Sequence, residues 1–304
     1  MSDPSKVWFV TGSSRGFGAE LVRAALTHGD RVIATARHPE QLGPLVDGAP
    51  DRARVYPLDV TDAAAARAAV DFAVAEFGRI DVVVNNAGYA DSAAIEEMSS
   101  ADFRAQVEAN LFGVVNVTRA ALPILRAQRS GVFVQFSSVG GRIGGTPGMG
   151  AYQTAKFAVE GFSEVLASEV RPFGVQVIIV EPGAFRTDWQ GSSMAMHEPG
   201  PDYLGTVGRV HEMRHATNGI QPGDPARAAR IIVGIVDEPA PPRRLLLGSA
   251  AVDQALAAGA ERDAETRRWA SISRSADFPD SVASARPGDR CPGSVGEAGQ
   301  PPRS

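Results

Sequence analysis

Tyr152 and Lys156 stand four residues apart in A-Y-Q-T-A-K-F-A-V-E-G-F, and Ser138 lies fourteen residues upstream in F-S-S-V-G-G-R. On a helix, an i, i+4 spacing puts phenol and ammonium on one face, where the positive charge favours the phenolate. An unperturbed tyrosine, with a pKa of about 10, is a poor base near neutral pH, so proton transfer by a phenol calls for a cation within one turn. A lone Y-x-x-x-K would be no more than a surface pair on an amphipathic helix. Here other chemistry-bearing segments accompany it.

The first is a glycine turn. Val7-Trp8-Phe9-Val10 runs into Thr11-Gly12-Ser13-Ser14-Arg15-Gly16-Phe17-Gly18 and then into Ala19-Glu20-Leu21-Val22. This reads as strand, turn and helix. Glycine lets the backbone approach a ligand closely, and the unpaired N–H groups at a helix start attract a pyrophosphate. The spacing is G-x-x-x-G-x-G, unlike the G-x-G-x-x-G of the common dinucleotide fingerprint. Taken alone, such a turn is also compatible with simple tight packing.

Asn85-Asn86-Ala87-Gly88 follows the apolar run Ile80-Asp81-Val82-Val83-Val84, and Asn110 sits in Val107-Glu108-Ala109-Asn110-Leu111. With Leu58-Asp59-Val60, with Pro182-Gly183 and with Thr187 beyond them, these pieces make the chain resemble the classical short-chain dehydrogenase/reductase family. The motifs occur in the family's order from Val7 to about Leu247. The resemblance implies that Tyr152 is the general acid or base at a carbonyl or alcohol oxygen. It implies that Lys156 lowers the tyrosine's pKa and bonds the nicotinamide ribose, that Ser138 holds the substrate oxygen, and that Asn110 anchors a water linking Lys156 to solvent. Ser137 is adjacent, but S-V-G-G aligns best from Ser138. The cofactor would be held by Gly12, Ser14, Arg15, Gly16, Phe17, Gly18, Arg37, Asp59, Val60, Asn86, Ala87, Gly88, Pro182, Gly183 and Thr187, with Tyr152 and Lys156. A homodimer or homotetramer is implied, its seam formed by helices over 101–126 and 152–171. Dehydratases, epimerases and catalytically inactive NADP-binding redox sensors share such a fold, although sensors commonly lose the tyrosine or the lysine, and both are present here.

The form of the cofactor can be argued from charge. Enzymes that take the unphosphorylated dinucleotide usually carry an acidic residue after the second strand, to bind the ribose 2′-OH. Here Arg31-Val32-Ile33-Ala34-Thr35-Ala36 ends with alanine, and Arg37 follows. Arg15 is a second cation able to reach that corner. A 2′-phosphate suits arginine's planar fork, so NADP is expected over NAD.

These residues need a frame to position them. Short Val/Ile-rich runs alternate with longer helical stretches, which predicts a single-domain, doubly wound α/β (Rossmann) fold with a seven-stranded parallel sheet covered by helices on both faces. Expected strands are 7–10, 31–36, 54–57, 80–84, 131–136, 175–180 and 244–247. Val159, Phe162, Leu166 and Val170, at i, i+3, i+7 and i+11, predict a helix from Tyr152 that Pro172-Phe173-Gly174 ends. Thr61-Asp62 reads as the cap of a helix through Phe77. The frame is expected over 1–275. Within it, 184–221 loses periodicity and reads as a substrate lid; Trp189, Met194, Met196, Tyr203 and Val207 are candidate lining residues, which would favour a hydrophobic carbonyl or alcohol substrate. Ser249–Ile272 reads as a charged surface helix. Ala276–Ser304, with five Pro and four Gly, reads as a disordered tail.

Composition narrows the partners. A net charge of −5 with no basic stripe argues against nucleic acid. The single cysteine, Cys291, excludes a disulfide within the chain and fits a reducing compartment. No run of about 18 apolar residues suggests a membrane span, and the N-terminal residues do not lead into a secretory signal, so a cytoplasmic location is expected. One rival motif stands out: His211-Glu212-Met213-Arg214-His215 matches H-E-x-x-H, which on a helix presents two histidines to zinc. The extended form needs glycine and histidine where Asn218 and Gln221 stand. No metal is expected, and the two histidines are read as surface residues of a lid helix.

Overall fold

Side chains alternate along the first strand, β1 (Val7–Val10), so that Trp8 and Val10 enter one apolar core and Phe9 the other. All four are fully buried, which is why the run carries no polar alternation. The structure, a computed structural model, describes residues 5–278 apart from Ser192. After β1 come α1 (Gly16–His28), β2 (Arg31–Ala36), the short α2 (Gly43–Val46), β3 (Ala53–Pro57), α3 (Ala63–Phe77), β4 (Val82–Asn85) and β5 (Ala90–Ser92). Then follow α4 (Ser100–Val107), α5 (Gly113–Gln128), β6 (Gly131–Phe136), α6 (Val139–Arg142), α7 (Gly150–Val170), β7 (Val175–Pro182) and β8 (Met194–Met196). The last elements are α8 (Arg209–Thr217), α9 (Pro225–Val236), β9 (Arg244–Leu247) and α10 (Ser249–Arg274).

Seven strands form one parallel sheet in the order β3-β2-β1-β4-β6-β7-β9. This is the expected doubly wound fold. Buried residues of α1 and α9 pack with Trp8, Ala34, Val84 and Val180 on one face, while those of α3, α5 and α7 pack with Phe9, Ile33, Val83 and Phe133 on the other. The strand order reverses between β1 and β4. A crevice therefore opens beyond their carboxyl ends, where ligands bind in sheets of this kind.

The local signals read from the sequence act as expected in several places. Asp62 caps α3, its Oδ1 accepting from the N–H groups of Ala64 at 2.8 Å and Ala65 at 3.0 Å. The helix bearing Tyr152 stops where Gly174 takes a φ of 71°. The helix expected over 101–126 is interrupted: α4 ends at Val107, a π-helical turn spans Glu108–Phe112, and α5 resumes at Gly113. Periodicity does not reveal that extra residue in a turn. Segment 184–221 is also more ordered than its sequence suggests. It contains β8, which pairs in parallel with β5 through Ala90–Met194 and Ser92–Met196, and it includes α8. Three-residue strands are too short to show an alternating pattern.

The chain divides into two compact units, 1–256 and 257–304. The second is described through Phe278: it holds the exposed, charged end of α10, with Arg267 paired to Asp263 one turn away. The proposed tail of 276–304, with Cys291, lies almost wholly outside the described residues.

In the first unit, a buried ionic network fixes α7 to the sheet. Glu181, fully buried at the end of β7, accepts from Arg142 Nη1 at 3.1 Å and from Arg244 Nη1 at 2.8 Å. Arg244 also pairs with Glu160 and Glu164 on α7. Burial raises the Glu181 pKa, and Arg142 opposes that shift. Replacing Arg244 with methionine keeps the aliphatic bulk but removes the charge shared by these carboxylates. The expected loss is about 2 kcal/mol, a fall in Tm of roughly 4–8 °C for a domain of this size. A Tm unchanged in thermal unfolding would show that the network contributes no stability.

Candidate active site

The two loops at the crevice are stitched together. Thr11, after β1, donates its hydroxyl to Val84 O at 3.1 Å and accepts from the N–H groups of Asn86 at 3.0 Å and Ala87 at 3.1 Å. Asn86 Nδ2 answers by donating to Thr11 O at 3.0 Å and Gly12 O at 3.1 Å. Gly12 has a φ of +66°, and a Cβ there would lie 2.8 Å from Ala87 Cα; one on Gly18 would lie 2.1 Å from Gly12 O. These glycines thus serve close packing between strand, turn and helix. No side chain caps the start of α1, which leaves its first N–H groups for an anion.

A groove of about 1410 Å³ runs along this edge, lined by Gly12, Ser14, Arg15, Gly16, Phe17, Arg37, Asp59, Val60, Asn86, Ala87, Gly88 and Thr187 among others. It adjoins a cavity of about 680 Å³ lined by Phe17, Asn86, Gly88, Asn110, Ser138, Tyr152, Lys156, Pro182, Gly183 and Thr187, with Trp189 common to both. Every cofactor residue inferred from the sequence borders one of the two spaces except Gly18, which lies behind the turn. Ala36 and the exposed Arg37 close the end of β2, with Arg15 also exposed on the groove. Asp59 is held below its ordinary pKa chiefly by the Thr61 N–H, 2.9 Å away, with the Thr61 hydroxyl and Arg37 adding to the effect.

At the inner end, Ser138 caps α6, its Oγ accepting from Gly140 N at 3.1 Å, and shares a cavity with Tyr152, whose phenol pKa its hydroxyl lowers. Ser137 instead directs its hydroxyl to Lys156 O at 3.4 Å, so Ser138 is the hydroxyl that meets the phenol. Asn110 lies in the π-helical turn, fully buried, with Nδ2 donating to Tyr89 O at 2.8 Å and Gln106 O at 2.9 Å. Its Oδ1 is buried without a partner. A Cβ on Gly88 would fall 2.4 Å from that oxygen and 3.8 Å from Lys156 Nζ, so the bare glycine keeps open the space between them.

The electrostatics differ from the expectation for a Tyr–Lys pair. Burial pushes the Tyr152 phenol up to about 12, against the opposing effects of the Ser138 hydrogen bond and of Arg214. Burial pulls the Lys156 ammonium down to about 8. Lys156 Nζ donates to Phe136 O at 2.8 Å and stands 5.7 Å from the centre of the Tyr152 ring. The pair does share one helix face, as the spacing predicts, but desolvation outweighs the pairing of charges.

The lid residues divide. Trp189 packs against Tyr152 with ring centres 5.3 Å apart, and Met194 and Met196 join the same apolar cluster. Val207 is buried beside Gly148. Tyr203 borders neither cavity, because its hydroxyl donates to Glu96 at the surface. The H-E-x-x-H reading also needs correction. His211 is buried, with Nε2 2.8 Å from Ser92 Oγ, whereas Glu212 and His215 are exposed. The two histidines therefore do not converge on a common point. The inward stripe is instead Val207, His211 and Arg214, at i, i+4 and i+7. That helical period is present in the sequence but is carried by polar residues. A search for apolar periodicity passes over Arg214 for this reason.

Known proteins resemble this chain in sequence and fold. Residues 6–198 match a family model described as short chain dehydrogenase. The chain is 50% identical over 271 residues to "Oxidoreductase BOA17" of Botryotinia fuckeliana, an overlap of 88% of this chain and 98% of that protein. A short-chain dehydrogenase structure from Streptomyces avermitilis superposes with a TM-score of 0.84 at 43% identity, covering 90% of this chain and all (100%) of that one. An alcohol dehydrogenase from Thermococcus sibiricus, solved with 5-hydroxy-NADP, gives a TM-score of 0.65 at 26% identity over 80% of this chain and 96% of that one.

Proposed function

The chain belongs to the short chain dehydrogenase family and is an oxidoreductase; we propose that it uses NADP(H) to reduce a carbonyl, or to oxidise the corresponding secondary alcohol, with Tyr152 as general acid and base. The observation that carries this reading is that Tyr152, Ser138, Lys156 and Asn110, with its orphaned Oδ1, line a single cavity. When bound, the reduced nicotinamide supplies the hydride. The chain's own groups manage the oxygen and its proton. Ser138 donates to the carbonyl oxygen and orients it, while Tyr152 delivers a proton to the same atom. A phenol with its pKa near 12 holds that proton throughout the neutral range, which suits the reductive direction. Lys156, buried beside the ring, favours the phenolate as it forms. Asn110 Oδ1, facing the space kept by Gly88, suits a water that returns a proton through Lys156.

The groove supports a phosphorylated dinucleotide. The uncapped start of α1 suits the pyrophosphate, and Arg15 and Arg37, without a carboxylate at the end of β2, suit a 2′-phosphate. The Thermococcus sibiricus relative, solved with a 5-hydroxy form of NADP, adds weight to this choice. A homodimer or homotetramer is supported by Phe157 and Val165, large apolar residues of α7 that stay 42% and 59% exposed. Among the described residues, no helix is long and apolar enough to cross a membrane.

Three measurements test the reading. In Tyr152→Phe, turnover of a ketone is expected to fall about a thousandfold while NADPH binds nearly as before; retained turnover would remove the phenol from the mechanism. Arg37→Ala should weaken NADPH by roughly tenfold or more and NADH far less, and an equal loss in both titrations would refute the 2′-phosphate assignment. The lysine predicts a pH dependence. Its charged form is the active one, so reductive kcat/KM should be highest below about 8 and fall as pH rises through that value. Lys156→Arg should move this alkaline limb upward, and a limb that stays in place belongs to another group.

A further inference from the structure

Arg214 is a cation in an unusual position. It sits on the inward face of α8 with only 7% of its surface exposed. Its Nη1 meets the Met194 sulfur at 2.8 Å, and its guanidinium carbon stands 5.5 Å from the centre of the Trp189 ring. Among the described residues, no carboxylate lies within ion-pairing distance of it. A guanidinium has five N–H donors and is costly to remove from water without an anion. A thioether is a weak acceptor, and an indole face answers one side of the charge.

The neighbours of this cation point to what would answer it. Trp189 is one of the residues lining both cavities and lies 5.3 Å, ring to ring, from Tyr152. Arg214 is thus two ring contacts from the phenol, behind Trp189, and itself lines neither cavity. The groups facing it from the packed elements are Tyr152 from α7, Met194 from β8, Trp189 from the lid, and His211 one turn earlier on its own helix. None is an anion at neutral pH: the thioether, indole and imidazole carry no negative charge there, and burial holds the Tyr152 phenol in its neutral form.

We infer that Arg214 is a specificity-determining residue that receives the anionic end of the substrate, so that the enzyme prefers carbonyl compounds bearing a carboxylate a few carbons from the carbonyl group. The carbonyl meets Ser138 and Tyr152, and the carboxylate meets the planar guanidinium fork, which suits it geometrically. The aliphatic body would run past Trp189, which stands between the cavity and the guanidinium. This narrows the carbonyl-reductase reading above and rests on it, and it replaces the wholly apolar substrate expected from the lid's composition. Seated there, the substrate would neutralise the lid's buried charge, so lid closure would favour an acid over its uncharged analogue.

The test uses the full-length protein with a panel of 2-, 3- and 4-oxo acids, each paired with its methyl ester. NADPH oxidation gives kcat/KM, and calorimetry with NADP present gives binding of acid and ester without turnover. The wild-type protein is expected to prefer acid to ester by about a hundredfold, a preference that collapses in Arg214→Met and partly returns in Arg214→Lys. Loss of acid binding, with an unchanged melting temperature, places the effect at the charge instead of the fold. Equal preference for acid and ester in the wild type, or an acid-to-ester ratio that survives Arg214→Met, overturns the assignment. If the acid binds through Arg214 but no member of the panel is reduced, the reductase reading fails while the anion site stands.

Discussion

An ammonium and a phenol buried side by side must find polar partners in the protein, because water no longer solvates them. Lys156 meets that demand by donating to the carbonyl of Phe136, the last residue of β6, while Tyr152 shares its cavity with Ser138, two residues further on. Both partners exist where they do because β6 ends at the carboxyl edge of a parallel sheet, leaving a carbonyl and a following hydroxyl directed into the crevice. Desolvation is the dominant force on both side chains, as their displaced pKa values show. The sheet edge, the cap on α6 and the ionic network that fixes α7 all bear on that arrangement.

The cofactor end of the crevice obeys a different constraint, the closeness of backbones. Gly12 and Gly18 allow the turn after β1 to lie against both the start of α1 and the loop after β4, and Thr11 and Asn86 lock the two loops by mutual hydrogen bonds. The N–H groups at the uncapped start of α1 and the side chains of Arg15 and Arg37 face that groove, which Asp59, Glu108 and Asp188 also line. The inner cavity, by contrast, is walled by the aromatic rings of Phe17, Phe136, Phe185 and Trp189.

Asn110 links the two ends. An ordinary α-helix from Ser100 to Gln128 would have offered it a regular place in the helical ladder. The π-helical turn instead directs its Nδ2 to two carbonyls and leaves Oδ1 facing the space beside Lys156. Single π-helical turns within α-helices recur at functional positions. The lid is held to the body by contacts distant in the chain, the pairing of β8 with β5 and the His211–Ser92 contact, and it carries Arg214 against the Trp189 ring.

Much of this was legible in the residues themselves. The i, i+4 spacing of Tyr152 and Lys156, the glycines of the first turn, the Asp62 cap and the continuous apolar strands are local features, and local features survive translation into structure because covalent geometry and backbone sterics dictate them. The order of the motifs identified the fold. Only the tertiary structure decided which hydroxyl faces the phenol, how far burial displaces the two ionisable groups, where the helix over 101–126 widens, and that His211 and Arg214 turn inward while His215 turns out. Each of these depends on the desolvation and contact created by segments distant in the chain, and no spacing within a single segment encodes them.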